Sequence, residues 1–191
     1  VTEGGSITYT ASLTNAATNA VTVTLSGGAT ITIASGQTTG TATVVAPTDD
    51  AYIDASTVSQ SIASVTGGTT FESLAFSTVA ASTTVPDDID VTTVSLSATP
   101  TVTEGGSITY TASLTNAATN AVTVTLTGGT TITIASGQTT GTATIAAPTD
   151  DVYVDAGTTS RGITAVSGGT TFESLAFSTA AASTTVPDDI D

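Results

Sequence analysis

The 191 residues are one unit written twice. Val1-Thr2-Glu3-Gly4-Gly5 returns as Val102-Thr103-Glu104-Gly105-Gly106, an offset of 101, and the register then runs without a gap to the last residue. Of the 90 aligned positions 14 differ, among them Ser26/Thr127, Val44/Ile145, Ile53/Val154, Gln60/Arg161 and Val79/Ala180. Nearly all keep size or polarity. A period near 100 is too long for solenoid repeats of roughly 20–50 residues and equals a small β-sandwich domain. Two domains follow, 1–90 and 91–191. The second opens on a strand-like lead-in, Val91-Thr92-Thr93-Val94-Ser95-Leu96-Ser97-Ala98, and the first has no counterpart to it in this window. Either the chain is cut from a longer array, or a neighbouring molecule donates the strand.

The second copy reads as seven strands. Strand A covers 92–98. In strand B (107–115) Ile108, Tyr110, Ala112 and Leu114 alternate with Ser107, Thr109, Thr111 and Ser113, a strict period of two with one buried face. Strand C (121–126) turns Val122, Val124 and Leu126 inward, and Gly128-Gly129 breaks it. Strand D (130–134) contributes Ile132 and Ile134, and strand E (140–147) contributes Ala143, Ile145 and Ala147. A long acidic corner leads to strand F (158–166), then strand G (171–179) with Phe172, Leu175 and Phe177. The first copy repeats this from B to G, and no helical periodicity appears. The expected fold is all-β: tandem immunoglobulin-like (cadherin-like) β-sandwiches of about seven strands each. Aromatics make up only 4% of the chain, so the cores are built from Val, Ile, Leu and Ala. A mean hydropathy of +0.33 argues against disorder despite the low complexity.

Charge narrows the partners. Sixteen acids face a single base, Arg161, for a net −15. Phosphate contacts need Lys or Arg, so nucleic acid is not an expected partner, and anionic lipid is disfavoured for the same reason. No apolar run approaches the roughly 20 residues of a bilayer-spanning helix, so no direct membrane insertion is expected. Cysteine, histidine and lysine are absent, which removes disulfides, thiolate metal sites, catalytic triads and Schiff-base chemistry. A carboxylate pair of the glycosidase kind lacks an aromatic platform for sugar, and the acids recur equally in both copies. An enzyme is not expected. Tyr52 and Tyr153 stand where a tyrosine corner would be.

The acids are clustered, not scattered. In a sandwich of alternating strands the AB, CD and EF loops share one end with the exit of strand G. Glu3 from the AB loop, Asp49, Asp50 and Asp54 from the EF corner, and Asp87, Asp88 and Asp90 after strand G should therefore meet at one pole. Glu104, Asp150, Asp151, Asp155, Asp188, Asp189 and Asp191 repeat the set in the second copy. Glu72 stands alone at the opposite pole, and Glu173 should face back toward the linker Val85-Pro86-Asp87-Asp88-Ile89-Asp90. Hard oxygen ligands without nitrogen or sulfur suit calcium, and magnesium less well because it keeps its waters. The competing reading is a solvated acidic corner in which Asp49 and Asp50 only shape a turn.

Whole phrases of the sequence resemble a known family. The run from Thr93 through Pro100, Glu104-Gly105-Gly106 and Tyr110 to Asn116 is similar to the tandem extender repeats of giant bacterial adhesins of the LapA type, within the RTX adhesins. So are Pro148-Thr149-Asp150-Asp151-Val152-Tyr153-Val154-Asp155-Ala156 and Phe172-Glu173-Ser174-Leu175. The resemblance implies type I secretion from a Gram-negative bacterium and an extracellular, outer-membrane-associated location. It implies immunoglobulin-like repeats, with calcium at their junctions, that hold an adhesive tip away from the cell and support biofilm. The expected partners are calcium ions and neighbouring repeats of the same chain or filament. Two other readings stay open: a filament subunit assembled by strand donation, and a glycan-binding surface module.

Overall fold

The structure is a computed structural model that describes every residue except 151–152, 154–155 and 189–191. Its described residues contain strands and turns and no helix. They form two compact units, one of residues Val1–Asp50 and Asp54–Asp88, the other of Ala51–Ile53 and Ile89–Asp191.

The first unit holds β1 (Ser6–Ser12), β2 (Val21–Leu25), β3 (Thr30–Ile33), β4 (Thr39–Val45), β5 (Ser56–Gln60), β6 (Ile62–Gly67) and β7 (Ala81–Val85). They make a β1-β4 pair, a three-stranded β3-β2-β6 sheet and a β5-β7 ribbon, all antiparallel. The second unit holds β8 (Val91–Ala98), β9 (Ser107–Leu114), β10 (Val122–Leu126), β11 (Thr131–Ile134), β12 (Thr140–Ala146), β13 (Gly157–Arg161), β14 (Ile163–Gly168), β15 (Ser174–Phe177) and β16 (Ala182–Val186). Here the sheets run β12-β9-β8-β15 and β11-β10-β14, with a β13-β16 ribbon.

Alternation builds each core as expected. In β9 every second residue is buried, so Ile108, Tyr110 and Ala112 form one cluster with Val122, Val124 and Leu126 of β10 and Ile132 and Ile134 of β11. The first unit packs Ile7, Tyr9 and Ala11 against Val21, Val23, Leu25, Ile31 and Ile33 in the same way. Each buried aliphatic side chain contributes about 1.5–3 kcal/mol, and the threonines between them keep the outer face wet.

Three details depart from the expectation. Strand F is two strands, because the chain changes sheets at Gly162. β13 pairs with β16, whereas β14 pairs with β10. Thr127 N–H donates to Gly162 O at 2.9 Å, and Gly162 N–H donates to Thr127 Oγ1 at 3.1 Å, which pins the crossing point. Secondly, a strand follows G: β16 alternates Ala182, Thr184 and Val186 inward, on residues too small to give a clear periodic signal. Thirdly, G forms in one unit only. β15 pairs in parallel with β8, from Ser174 opposite Val91 to Phe177 opposite Val94. Its counterpart, residues 73–76, has no strand of that kind beside it and is not a strand. A β-strand is stabilised by its neighbour's backbone, so the same residues order differently in the two copies.

The tyrosine corner is also corrected. Tyr52 belongs to the second unit, where its ring stacks on Phe172 and its hydroxyl donates to Ala117 O at 2.6 Å, 65 residues away. Tyr153, the equivalent residue, is 74% exposed.

Candidate metal centre at the acidic pole

A tight turn aims the first carboxylate. Gly5 N–H donates to Thr2 O at 3.2 Å, closing a four-residue turn whose third residue, Gly4, has φ +65°. A side chain there would meet the left-handed penalty, so glycine is the residue the turn requires. Two further bonds hold the turn against the end of β4: Gly4 N–H to Pro47 O at 2.7 Å and Ala46 N–H to Gly5 O at 2.9 Å. Glu3 thereby sits beside the corner that carries Asp49, and a Cβ on Gly4 would lie 4.0 Å from that of Asp49. From the far side of the corner, Asp54 N–H donates to the Asp87 carboxylate at 3.3 Å, joining the approach to β5 with the exit of β7.

The outcome is a buried acid among acids. Glu3 is only 7% exposed, and no N–H or O–H donor among the described residues reaches either of its oxygens. Its carboxyl is pushed up to about 7. The largest cause is the Asp54 carboxyl beside it, which favours the protonated form of Glu3. Burial comes next, followed by the charges of Asp54, Asp87 and Asp49. Glu3, Asp49, Asp54 and Asp87 therefore converge, although they come from three distant segments. Asp50 and Asp88 are exposed beside Asp49 and Asp87. Asp90 lies in the second unit, where its N–H donates to Glu173 at 2.5 Å, so Glu173 does face the linker.

The second copy repeats the turn. Gly106 N–H donates to Thr103 O at 3.1 Å, Gly105 N–H to Pro148 O at 2.7 Å, and Ala147 N–H to Gly106 O at 2.9 Å. Gly105 has φ +67°, and a Cβ on it would lie 3.9 Å from that of Asp150. Glu104 is 8% exposed, so burial of this acid is a property of the repeat. Asp150 is exposed and Asp188 half-buried, whereas Asp151, Asp155, Asp189 and Asp191 lie outside the described residues. What the sequence reading lacked was the difference between Glu3 and its neighbours. Among seven acids of one charge, only the fold distinguishes the buried one. Arg161 does not compensate the pole of its own repeat through a described ion pair; its guanidinium donates to Thr127 O at 2.8 Å.

All these side chains offer oxygen atoms, so any cation they held would be of the hard, calcium-like class. Fold and site together define a tandem all-β repeat protein with an acidic pole on its repeats. The chain belongs to the LapA domain family, whose model matches residues 1–88 and 90–189. It is therefore an adhesin-related segment, of a structural kind, from a family of cell-surface or extracellular proteins. No curated protein matches it.

Proposed function

We propose that the chain is an extender segment of a secreted bacterial adhesin, in which calcium bound at the acidic poles rigidifies tandem immunoglobulin-like domains. Its work is mechanical: it spaces an adhesive tip from the cell surface and so supports attachment and biofilm. The observation that carries this reading is Glu3, an acid buried among acids with no donor to its oxygens among the described residues. Folding an uncompensated carboxylate into such a place is costly unless a cation joins it. Calcium accepts six to eight oxygens at about 2.3–2.6 Å, and Glu3, Asp49, Asp54 and Asp87 are the residues that would hold it, with carbonyls or water completing the shell. Bound there, the ion neutralises the pole and ties the turn at 2–5, the corner and the exit of β7 together.

The test is a calcium titration of the whole chain, followed by calorimetry, thermal melting and small-angle scattering. Calcium raises the melting temperature and narrows the distribution of dimensions, and a chelator reverses both. Identical melting and scattering in chelator and in millimolar calcium would end the proposal. Glu3→Gln, which keeps the shape of the side chain and removes its charge, should weaken calcium binding at the first pole.

A further inference from the structure

The one guanidinium of the chain is placed inside the second unit, away from the acids. Arg161 ends β13 and pairs with Ala182, whereas Gly157, next to the acidic corner, pairs with Val186. Arg161 lies four residues further along the strand, about 13 Å from that corner. Among the described residues no acid pairs with it, and its Nη1–H donates to Thr127 O at 2.8 Å instead. The guanidinium lies so close over the β10–β11 turn that a side chain on Gly128 would collide with Nη1. Its Nε–H is left over: the atom is buried and meets no acceptor.

A second buried donor faces the same space. Tyr110 is fully buried, and its hydroxyl has no partner. In the first unit the equivalent hydroxyl, on Tyr9, reaches β5 and donates to Val58 O. The counterpart of Val58 is Thr159, two residues before Arg161 in β13. Thr159 and Arg161 are the half-buried residues of that strand and share its inner face, because successive side chains alternate. Tyr9 and Gln60, the counterparts of Tyr110 and Arg161, line one cavity together with Leu25, Ile31 and Ile62. In the second unit Leu126, Ile132 and Ile163 take those apolar places and are buried. Burial raises the pKa of the Tyr110 phenol, and the charge of Arg161 lowers it in part.

We infer that Arg161 Nε–H and the Tyr110 hydroxyl hold one small monatomic anion, of the chloride class, between them. Two unpartnered donors call for an acceptor. Water would accept both protons but bring two of its own toward Leu126, Ile132 and Ile163, which offer them nothing. A halide carries no proton, and its charge offsets a guanidinium partly withdrawn from solvent. Phosphate or sulfate would present several oxygens to two donors and leave the rest unsatisfied. The first repeat lacks the site. There Gln60 Oε1 accepts from Gly27 N–H at 2.6 Å and from Ser26 Oγ at 3.0 Å, and Tyr9 is already bonded to Val58. None of this depends on calcium.

Because Arg161 is the only arginine, the whole chain has one arginine Nε–H resonance. In chelator, at constant ionic strength with gluconate as the balancing anion, that resonance should shift saturably with chloride or bromide, at one ion per chain. Tyr110→Phe removes one donor and should weaken the halide by about tenfold or more, the loss of one hydrogen bond to a charged group. The effect of that variant on stability should accordingly be favourable without halide and reduced or reversed in its presence. Chloride should raise the melting temperature of the second unit in the parent and not in Arg161→Gln, which carries the residue of the first copy. A resonance that does not respond, or a shift that never saturates, overturns the inference and leaves a water or a dry pair at this place. An unchanged affinity in Tyr110→Phe also overturns it, because the halide would then rest on the guanidinium alone.

Discussion

Tyr52 stacks on Phe172 with ring centroids 5.5 Å apart and planes inclined by 21°. The pair also forms an isolated antiparallel bridge, flanked by Ile53 N–H to Thr171 O at 2.9 Å and Glu173 N–H to Ala51 O at 3.3 Å. Three residues, Ala51–Ile53, thus complete the second unit from a point far upstream in the chain. Tyr52→Phe should cost the second unit about 1 kcal/mol, the net value of one hydrogen bond. Tyr52→Ala should cost about 2–3 kcal/mol, because the stack and the ring's buried area go with it. Tyr153→Ala, at an exposed position, should stay within about 0.5 kcal/mol of the parent. Thermal or urea unfolding of the three variants, resolved by unit, separates these outcomes.

The raised pKa of Glu3 makes stability depend on pH in an unusual direction. Below its ordinary value of 4.5 the carboxyl is protonated in both states, and above about 7 it is ionised in both. Between these limits the folded unit retains a proton that the unfolded chain has released, so stability falls as pH rises. In chelator, the first unit's unfolding free energy should decline across that interval more steeply in the parent than in Glu3→Gln. Equal slopes would show that Glu3 is not the titrating group. In calcium the difference should vanish, because the cation favours the carboxylate.

Gly4→Ala isolates the cost of the turn that aims Glu3. A methyl group there finds open space, with Asp49 Cβ at 4.0 Å, so only the φ of +65° opposes it. The expected loss is about 1–2 kcal/mol in the first unit, and the same for Gly105→Ala in the second. A larger loss at Gly4 than at Gly105 would mean that the surroundings of the two turns differ.

Tyr110 and Tyr9 occupy equivalent positions with different hydroxyl environments. Tyr9 donates to Val58 O at 3.3 Å, whereas the Tyr110 hydroxyl is buried and meets no partner among the described residues. Burial accordingly raises the Tyr110 phenol above its ordinary value, with a small opposing effect from Arg161. Removing an unsatisfied buried hydroxyl relieves a penalty of about 1–3 kcal/mol, so Tyr110→Phe should stabilise the second unit. Tyr9→Phe should instead be neutral or destabilise the first by less than about 1 kcal/mol. Differential scanning calorimetry of the two variants gives opposite signs if the hydroxyl environments are as described.

Much of this was legible before any fold was known. The alternation from Ile108 to Leu114 dictates which face of β9 is buried, because a strand turns successive side chains to opposite sides. The gapless repeat dictates that both copies build the same turn at Gly4 and Gly105. The absence of histidine and cysteine leaves carboxylates as the side-chain ligands for a hard cation. These are local or compositional properties, and a linear sequence carries them in full.

The tertiary structure decided what depends on neighbours. Residues 73–76 and Ser174–Phe177 share their letters, yet only the second segment is a strand, because only it lies beside β8. Tyr52 and Tyr153 share a place in the repeat, yet the ring at 52 is held by Phe172 and Ala117 and the ring at 153 is exposed. Glu3 reads like any of its seven fellow acids, and its raised pKa comes from the carboxyl of Asp54, which is 51 residues away in the chain, and then from burial. Backbone pairing, ring stacking and charge proximity act through space, so identical letters can acquire different structures and different acidity.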